Sequence, residues 1–146
     1  MTRGVVLVVA ALCLAQQAAC EEETFSKISG YDTTYKMLKE GTGATVTKGA
    51  KVEMHATGVV EESGYKFWST KDPGQQVFTY DAGMGRVIKG WDQGCLGMKV
   101  GEVRKLRIPH HEGYGANGFP AWKIPAKATL NFEIEVLKVT GGKSEL

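Results

Sequence analysis

Alternation of apolar and polar residues is the strongest structural signal in this chain. Residues 130–136 place Leu, Phe, Ile and Val at every second position, with Asn and Glu between them. Residues 51–60 alternate in a similar way, with Val52, Met54 and Ala56 on one side. Because a period of two is the side-chain period of a strand, both segments are predicted to be strands with one buried face.

Shorter β-type stretches lie between glycine and proline breaks, at residues 65–70, 76–80 and 102–108. A single helix is predicted at residues 87–96, which are amphipathic and closed by Gly97. One helix with five or six antiparallel strands predicts an α+β fold in which the helix covers one face of the sheet.

Residues 35–140 are predicted to form one domain, because no repeat or linker interrupts them. The preceding residues 21–34 are polar, and we expect them to be flexible. Basic residues recur over residues 99–107, and we interpret them as an exposed strand edge.

The N-terminus predicts entry into the secretory pathway. A short positive start, an apolar run at residues 5–15 and small residues before Glu21 make residues 1–20 a signal peptide. A membrane anchor is the rival interpretation, but the run is well short of the roughly 20 residues that span a bilayer. A lipoprotein anchored at Cys20 is disfavoured because Gln17 stands where a large aliphatic residue is wanted.

The C-terminal tail, residues 141–146, ends in Lys-Ser-Glu-Leu, which resembles the retrieval signals of the endoplasmic reticulum (ER). We therefore expect the protein in the ER lumen, or secreted if that signal is not read. After signal cleavage no attachment to a membrane is expected. A secreted effector acting on host proteins remains an alternative.

Composition excludes several classes of function. A hydrophobic fraction of 42% suffices for a core that needs no metal or disulfide for stability. We also expect a monomer. The net charge of +2 gives no cationic field for binding nucleic acid. Cys95 is the single cysteine beyond residue 20, so it cannot form an internal disulfide, and we expect a buried, inert thiol.

Common catalytic constellations do not stand out. Residues 110–112, His-His-Glu, suggest a metal, but adjacent side chains diverge and His55 is the only other imidazole. A solvated loop is predicted there instead. Ser69 has no His/Asp pattern nearby, and Gly83-x-Gly85 lacks the third glycine of a dinucleotide-binding loop. The sequence therefore predicts no metal and no cofactor.

Aromatic residues are numerous for a domain of this size, and several lie next to turns. One interpretation is that they are ordinary core and scattered surface residues. The other is an apolar pocket lined from several elements, with Tyr114 offering a hydroxyl. The residues are Phe67, Trp68, Phe78, Tyr80, Trp91, Tyr114, Phe119, Trp122 and Phe132.

Longer motifs make the chain similar to a known family. They are VIKGWDQG at 87–94, LGM at 96–98, GE at 101–102, YG at 114–115 and ATL at 128–130 continuing to Val136. In this order they resemble the core of FKBP-type peptidyl-prolyl cis-trans isomerases, over residues 41–139. The signal peptide and the tail resemble those of the small ER-lumenal members, and residues 66–75 and 118–122 resemble plant and protist members.

The resemblance implies a half-barrel antiparallel sheet wrapped over the short helix, with a pocket between them. It implies isomerisation of X-Pro bonds in folding secretory proteins without a covalent nucleophile. Trp91 would form the pocket floor, and the Ile88 N–H and the Tyr114 hydroxyl would donate to substrate carbonyls. The other substrate-binding residues would be Phe67, Trp68, Phe78, Val87, Phe119, Ile124 and Phe132. Proline-containing polypeptides and macrolide immunosuppressants such as rapamycin are the implied ligands.

Three positions depart from the common pattern of that family. Ala56 stands where a pocket tyrosine is usual, Trp68 where an aspartate is usual, and Phe119 where a loop histidine is frequent. We expect these changes to affect turnover and macrolide affinity but not the fold. A low-turnover proline-binding module or chaperone of the same fold is the alternative function.

Overall fold

The computed structural model describes residues 24–142, and one antiparallel sheet contains the seven strands of this part of the chain. The predicted signal peptide and the C-terminal tetrapeptide lie outside the described residues. The strands are β1 Ser26–Lys27, β2 Thr34–Lys39, β3 Lys51–Val60, β4 Lys66–Ser69, β5 Phe78–Asp81, β6 Val103–Ile108 and β7 Leu130–Thr140.

The strands are ordered β1-β2-β6-β7-β3-β4, and β5 also pairs with β3. The first half of β3 pairs with β5 and the second half with β4, so two short strands share one edge. The number of strands is one more than the upper predicted value. Of the seven strands, β1 and β2 were not among the five ranges predicted as strands, and the two residues of β1 lie in the segment that was predicted to be flexible.

Helix α1, Lys89–Gly94, packs against β6 and is shorter than the predicted helix. It begins after Ile88, whose ψ of 146° is extended. Two of its glycines face β6: a Cβ on Gly90 would lie 2.5 Å from Ile108 Cγ2, and one on Gly94 would lie 2.8 Å from Leu106 Cδ1. The absence of side chains at these positions therefore allows the helix to approach the sheet closely. Three 3₁₀ turns follow β6, at His110–Glu112, Gly115–Asn117 and Pro120–Trp122.

The predicted alternation of β3 and β7 is confirmed by burial. Met54, Ala56, Phe132 and Ile134 are buried, and Ala56 lies opposite Ile134 in the register. In β7 the alternation ends at Leu137, which is an extra residue where the register shifts and is exposed. Such a bulge reverses the orientation of the residues that follow it.

The interpretation of residues 99–107 as an exposed strand edge is wrong for Arg104. β6 lies between β2 and β7, and Arg104 faces the interior with 7% of its surface exposed. Its Nε donates to Glu102 at 2.7 Å and its Nη1 donates to the Gly94 carbonyl at 3.0 Å, at the end of α1. The guanidinium also lies 4.4 Å from the Tyr35 ring centroid. Arg104 thus neutralises a buried carboxylate and fixes the helix C-terminus.

Within residues 24–142 no helix has the length and apolar character to cross a bilayer.

Candidate active site

The nine aromatic side chains singled out in the sequence form one continuous cluster. Each contacts at least one other, with centroid distances from 4.7 to 6.4 Å. Most pairs are tilted or edge-on, the arrangements that the ring quadrupole favours. The cluster lies between α1, the edge strands β4 and β5, β7 and the loop that follows β6. The interpretation of these residues as scattered is therefore wrong. The contacting pairs join Phe67, Trp68, Phe78, Tyr80, Trp91, Tyr114, Phe119, Trp122 and Phe132.

Trp91 is the most connected ring and lies at the base of the cluster. It is 4% exposed and meets Phe132 edge-on at 4.7 Å and Phe78 at 5.5 Å. Asp92, the next residue of α1, accepts hydrogen bonds from the N–H groups of Gly83 and Gly85, at 2.8 and 3.0 Å. These bonds fold the preceding loop onto the helix, and this loop carries Val87 and Ile88, which are half-buried against the core.

A β-bulge explains why two consecutive residues of β4 enter the cluster. Trp68 lies opposite Gly58, but the next pair joins Lys66 to Val59, which leaves Phe67 as the extra residue. In a regular strand successive side chains point to opposite faces. Here Phe67 contacts Phe132 at 5.6 Å while Trp68 contacts Trp91 at 6.1 Å. Bulges of this kind re-aim side chains and are common next to active sites.

Gly58 makes room for these rings, and sequence analysis did not identify it as a site residue. A Cβ at this position would lie 2.4 Å from Phe67 Cζ and 2.7 Å from Phe132 Cε1. The signal was present in the sequence, because a glycine inside a strand pattern often marks a close approach. What the sequence did not reveal was which residues approach it.

Trp122 was counted among the aromatic residues, but the family resemblance did not assign it to substrate binding. It lies in the loop after β6, where Phe119 and Ile124 form a β-bridge through bonds of 2.9 and 3.1 Å. Its indole stacks on Trp68, with centroids 6.0 Å apart. Phe119 stacks on Tyr114 at 5.3 Å. Ile124, which was expected on the rim, is part of this loop, and its side chain is buried with 2% of its surface exposed.

Two donors at this site have no acceptor among residues 24–142: the Ile88 N–H and the Tyr114 hydroxyl. Tyr114 is half-buried, and burial raises the pKa of its hydroxyl, which keeps it protonated as a donor. In the same part of the chain, the Tyr80 hydroxyl and the Trp91 indole N–H are buried without partners. Unpaired buried polar groups are uncommon in folded proteins. Contacts between rings are therefore the main interactions that organise this cluster.

Glu112 joins the loop of Tyr114 to the N-terminal strands. It is 7% exposed, so the predicted solvated loop is wrong for this residue. Its Oε1 accepts from the Thr33 N–H and hydroxyl at 2.9 and 2.6 Å, and its Oε2 accepts from the Asp32 N–H at 2.8 Å. His111 Nε2 lies 2.8 Å from Asp32 Oδ2. The ligand-type atoms of Asp32, His111 and Glu112 lie within 4.8 Å of one another, but the Glu112 oxygens already have protein donors.

Comparison with known proteins shows the family of this chain. A profile of the FKBP-type peptidyl-prolyl cis-trans isomerase family matches residues 42–137. The chain belongs to this family. It is 50% identical over 105 residues to the peptidyl-prolyl cis-trans isomerase FKBP12 of Vicia faba, covering 70% of this chain and 94% of that protein. It is 53% identical over 92 residues to human FKBP2, covering 63% of each chain.

A bacterial relative in Neisseria meningitidis serogroup B, named FK506-binding protein, is 50% identical over 102 residues, with 70% of this chain and 91% of that protein covered. Among solved structures, the N-terminal domain of Arabidopsis thaliana FKBP42 superposes with a TM-score of 0.74 at 23% identity, over 83% of this chain and 95% of that one. This likeness supports the FKBP-like fold. The predicted α+β architecture is therefore confirmed, and the protein is an FKBP-type peptidyl-prolyl cis-trans isomerase.

Proposed function

We propose that this FKBP-type isomerase accelerates rotation about X-Pro bonds of folding secretory proteins at the cluster built around Trp91. The observation that carries the proposal is a buried indole, Trp91, in one aromatic cluster with Tyr114, together with two donors that have no acceptor among residues 24–142: the Ile88 N–H and the Tyr114 hydroxyl. Such an arrangement offers an apolar surface to a proline ring and hydrogen bonds to nearby carbonyls.

Isomerisation needs no nucleophile, because no covalent bond is made or broken. Rotation about the peptide bond crosses a barrier of roughly 18–20 kcal/mol, and without a catalyst it takes tens to hundreds of seconds for X-Pro. The planar amide is polarised by resonance, and the twisted transition state is less polar. A dry aromatic site therefore favours the twisted state relative to water. A preferential stabilisation of about 5–6 kcal/mol would give about four decades of rate.

Each predicted site residue has a role in this proposal. Trp91 is the floor against which the proline ring packs, and the Ile88 N–H and the Tyr114 hydroxyl hold the carbonyls that flank the bond. The walls are Phe67, Phe78, Val87 and Phe132. Trp68 and Phe119 extend the aromatic surface outward, and Ile124 supports the loop that carries Phe119.

At position 68, a tryptophan contributes packing to the proposed site but no carboxylate. Its ring contacts Trp91 and Phe78, so an indole lies over the floor at the position where family members usually have an aspartate. A macrolide ligand is proposed for the same pocket, because a relative of this chain is named FK506-binding protein. We expect its affinity to be reduced, since the indole occupies space and the carboxylate is absent.

The proposed compartment is the ER lumen, and the N-terminal signal and the Lys-Ser-Glu-Leu terminus support it. Removal of residues 143–146 from the expressed full chain should shift the protein from cells to the medium. An unchanged distribution would contradict retrieval through this tail.

The experiment that tests the activity is a prolyl-isomerase assay on residues 21–146. Tyr114→Phe removes one hydroxyl that the proposal uses, and we expect kcat/KM to fall about tenfold, the equivalent of one hydrogen bond. Tyr80→Phe is the matched control, because it also removes one buried tyrosine hydroxyl from the cluster but not one of the two proposed donors, and it should leave kcat/KM nearly unchanged. Trp91→Leu should reduce turnover further, with circular dichroism verifying the fold.

The binding-module alternative has a distinct outcome. A folded protein that binds a proline peptide by calorimetry but does not accelerate its isomerisation would replace the isomerase proposal.

A further inference from the structure

A groove lies beside the aromatic cluster and is not used by the proposed chemistry. It has a volume of about 520 Å³ and separates the β3–β4 turn from the loop that follows β6. Tyr65 lines one side, and Pro120, Ile124 and Pro125 line the other, with Lys123 between them. Ser63, Asn117 and Ala126 complete the lining, so the walls are mostly apolar and include one lysine.

The groove continues from the active site through covalent and packing connections. Tyr65 precedes β4, the strand that carries Phe67 and Trp68, and it is 44% exposed. Pro120 belongs to the same 3₁₀ turn as Trp122, whose exposed indole stacks on Trp68. The groove is therefore lined by residues adjacent in the chain to those that form the Trp68–Trp122 pair.

The loop that forms the far wall is held in a fixed shape. Besides the Phe119–Ile124 bridge, the Lys127 N–H donates to the Gly115 carbonyl at 3.0 Å. Gly118 has a φ of 68°, and a Cβ there would lie 2.3 Å from the Ile124 carbonyl oxygen. This close approach leaves no room for a side chain at position 118. Because the bridge and the other backbone hydrogen bonds already hold the loop, a ligand does not have to order it, and the entropic cost of binding is lower.

Lys123 places a positive charge in this loop, and its backbone conformation is strained. Its φ of 57° is in the left-handed region, which residues with a Cβ adopt infrequently. Among the described residues no carboxylate forms an ion pair with it. Strained residues are often retained at binding surfaces. The ammonium group is thus available to a carboxylate from outside the chain.

We propose that this groove binds the segment of substrate polypeptide that flanks the prolyl bond, and that it favours segments combining an apolar side chain with a carboxylate. The inference rests on the proposed isomerase function and adds to it a preference for particular clients. The apolar side chain packs against Tyr65 and the prolines, while the carboxylate pairs with Lys123.

The test compares peptide substrates with the same central proline tetrapeptide, extended on one side or the other by Leu-Glu or by Leu-Lys. For the side that reaches the groove, we expect kcat/KM to be about two- to fivefold higher with Glu than with Lys, the range of an exposed ion pair. Lys123→Glu should reverse this ratio. Tyr65→Ala should reduce kcat/KM for both extended peptides while the ratio persists.

Lys127→Glu is the matched control. Lys127 belongs to the same loop and has nearly the same φ, 56°, but does not line the groove. It should keep the wild-type preference. Equal ratios in wild type and Lys123→Glu, on both sides of the proline, would overturn the proposal.

Failure of the isomerase function would be recognised separately, as absence of turnover on the unextended tetrapeptide. In that case, calorimetry with the same extended peptides tests whether the groove prefers a carboxylate. A Glu preference that Lys123→Glu reverses supports it, and equal affinities overturn it.

Discussion

The indole of Trp68 stacks on the indole of Trp122, with ring centroids 6.0 Å apart and planes inclined by 21°. The Trp68 N–H also donates to the Gln75 side chain at 3.4 Å. The stack joins an edge strand to a surface loop 54 residues further along the chain, and it borders the Trp91 floor. Loops usually move more than the elements they connect. Here the stack holds the loop against the site, so we expect a change in the position of the loop to change substrate binding.

Trp122→Ala should weaken substrate binding more than it weakens the fold. The ring is 41% exposed, so we expect a loss of only about 1 kcal/mol in the free energy of unfolding. KM for a proline peptide should rise several-fold while kcat changes little, because Trp122 does not contact Trp91 directly. Trp122→Phe preserves an aromatic partner for Trp68 and should retain most of the binding. Steady-state kinetics and urea denaturation measure the two effects, and an unchanged KM in Trp122→Ala would contradict the link.

Gly58→Ala should destabilise the protein although it adds a single methyl group. The new Cβ would overlap Phe67 and Phe132, and overpacking of this kind costs typically about 1–3 kcal/mol. Equilibrium denaturation should show the loss as a lower midpoint with an unchanged m-value. Phe67→Leu in the same chain removes the nearest ring and should recover part of the midpoint. A wild-type midpoint in the single variant would show that the rings can move freely.

Local pattern was sufficient to predict the five strands β3–β7 but not β1 and β2. The alternation in β3 and β7 identified the buried faces correctly, because both strands lie inside the sheet with one face on the core. The helix was predicted at the right place but too long, because its ends depend on contacts with β6 and on the extended Ile88. β1 gave no signal, since two residues are too few for periodicity.

The site required contacts that no local pattern contains. The bulge at Phe67, the clearance at Gly58 and the stacking of Trp122 each depend on a partner strand or loop. Arg104 and Glu112 were assigned to the surface because charged residues usually lie there. Both are buried because partners distant in sequence satisfy them: the Gly94 carbonyl for one, and Asp32 and Thr33 for the other.

Cys95 should not react with thiol reagents in the folded protein. It is fully buried, and burial raises the pKa of its thiol to about 12, so the reactive thiolate is absent near neutral pH. Labelling with a disulfide reagent at pH 8 should therefore follow unfolding along a urea titration. A Cys95→Ala variant gives the background. Rapid labelling without urea would indicate local opening at the end of α1.

Acid should destabilise the fold through Glu112. Burial alone would raise the pKa of this carboxyl, but the hydrogen bonds from Asp32 and Thr33 hold it below its ordinary value of 4.5. A carboxylate with a lower pKa in the folded chain stabilises the fold above its unfolded pKa, and this contribution disappears as pH falls through the folded pKa. The free energy of unfolding should therefore fall as pH is lowered below about 4.5.

Glu112→Gln separates this residue from the other carboxylates. At pH 7 we expect a loss of roughly 1–3 kcal/mol, because the amide cannot accept all three bonds at a buried position. The difference from wild type should shrink on acidification, since wild type then loses the same interactions. Glu62→Gln is the control. Desolvation alone would raise the pKa of the Glu62 carboxyl, but the hydrogen bond from the Thr129 N–H lowers it. Unlike Glu112, Glu62 has an exposed side chain. We expect a smaller effect there. A difference for Glu112→Gln that is equal at pH 7 and pH 3 would mean that packing, not charge, joins the Tyr114 loop to the N-terminal strands.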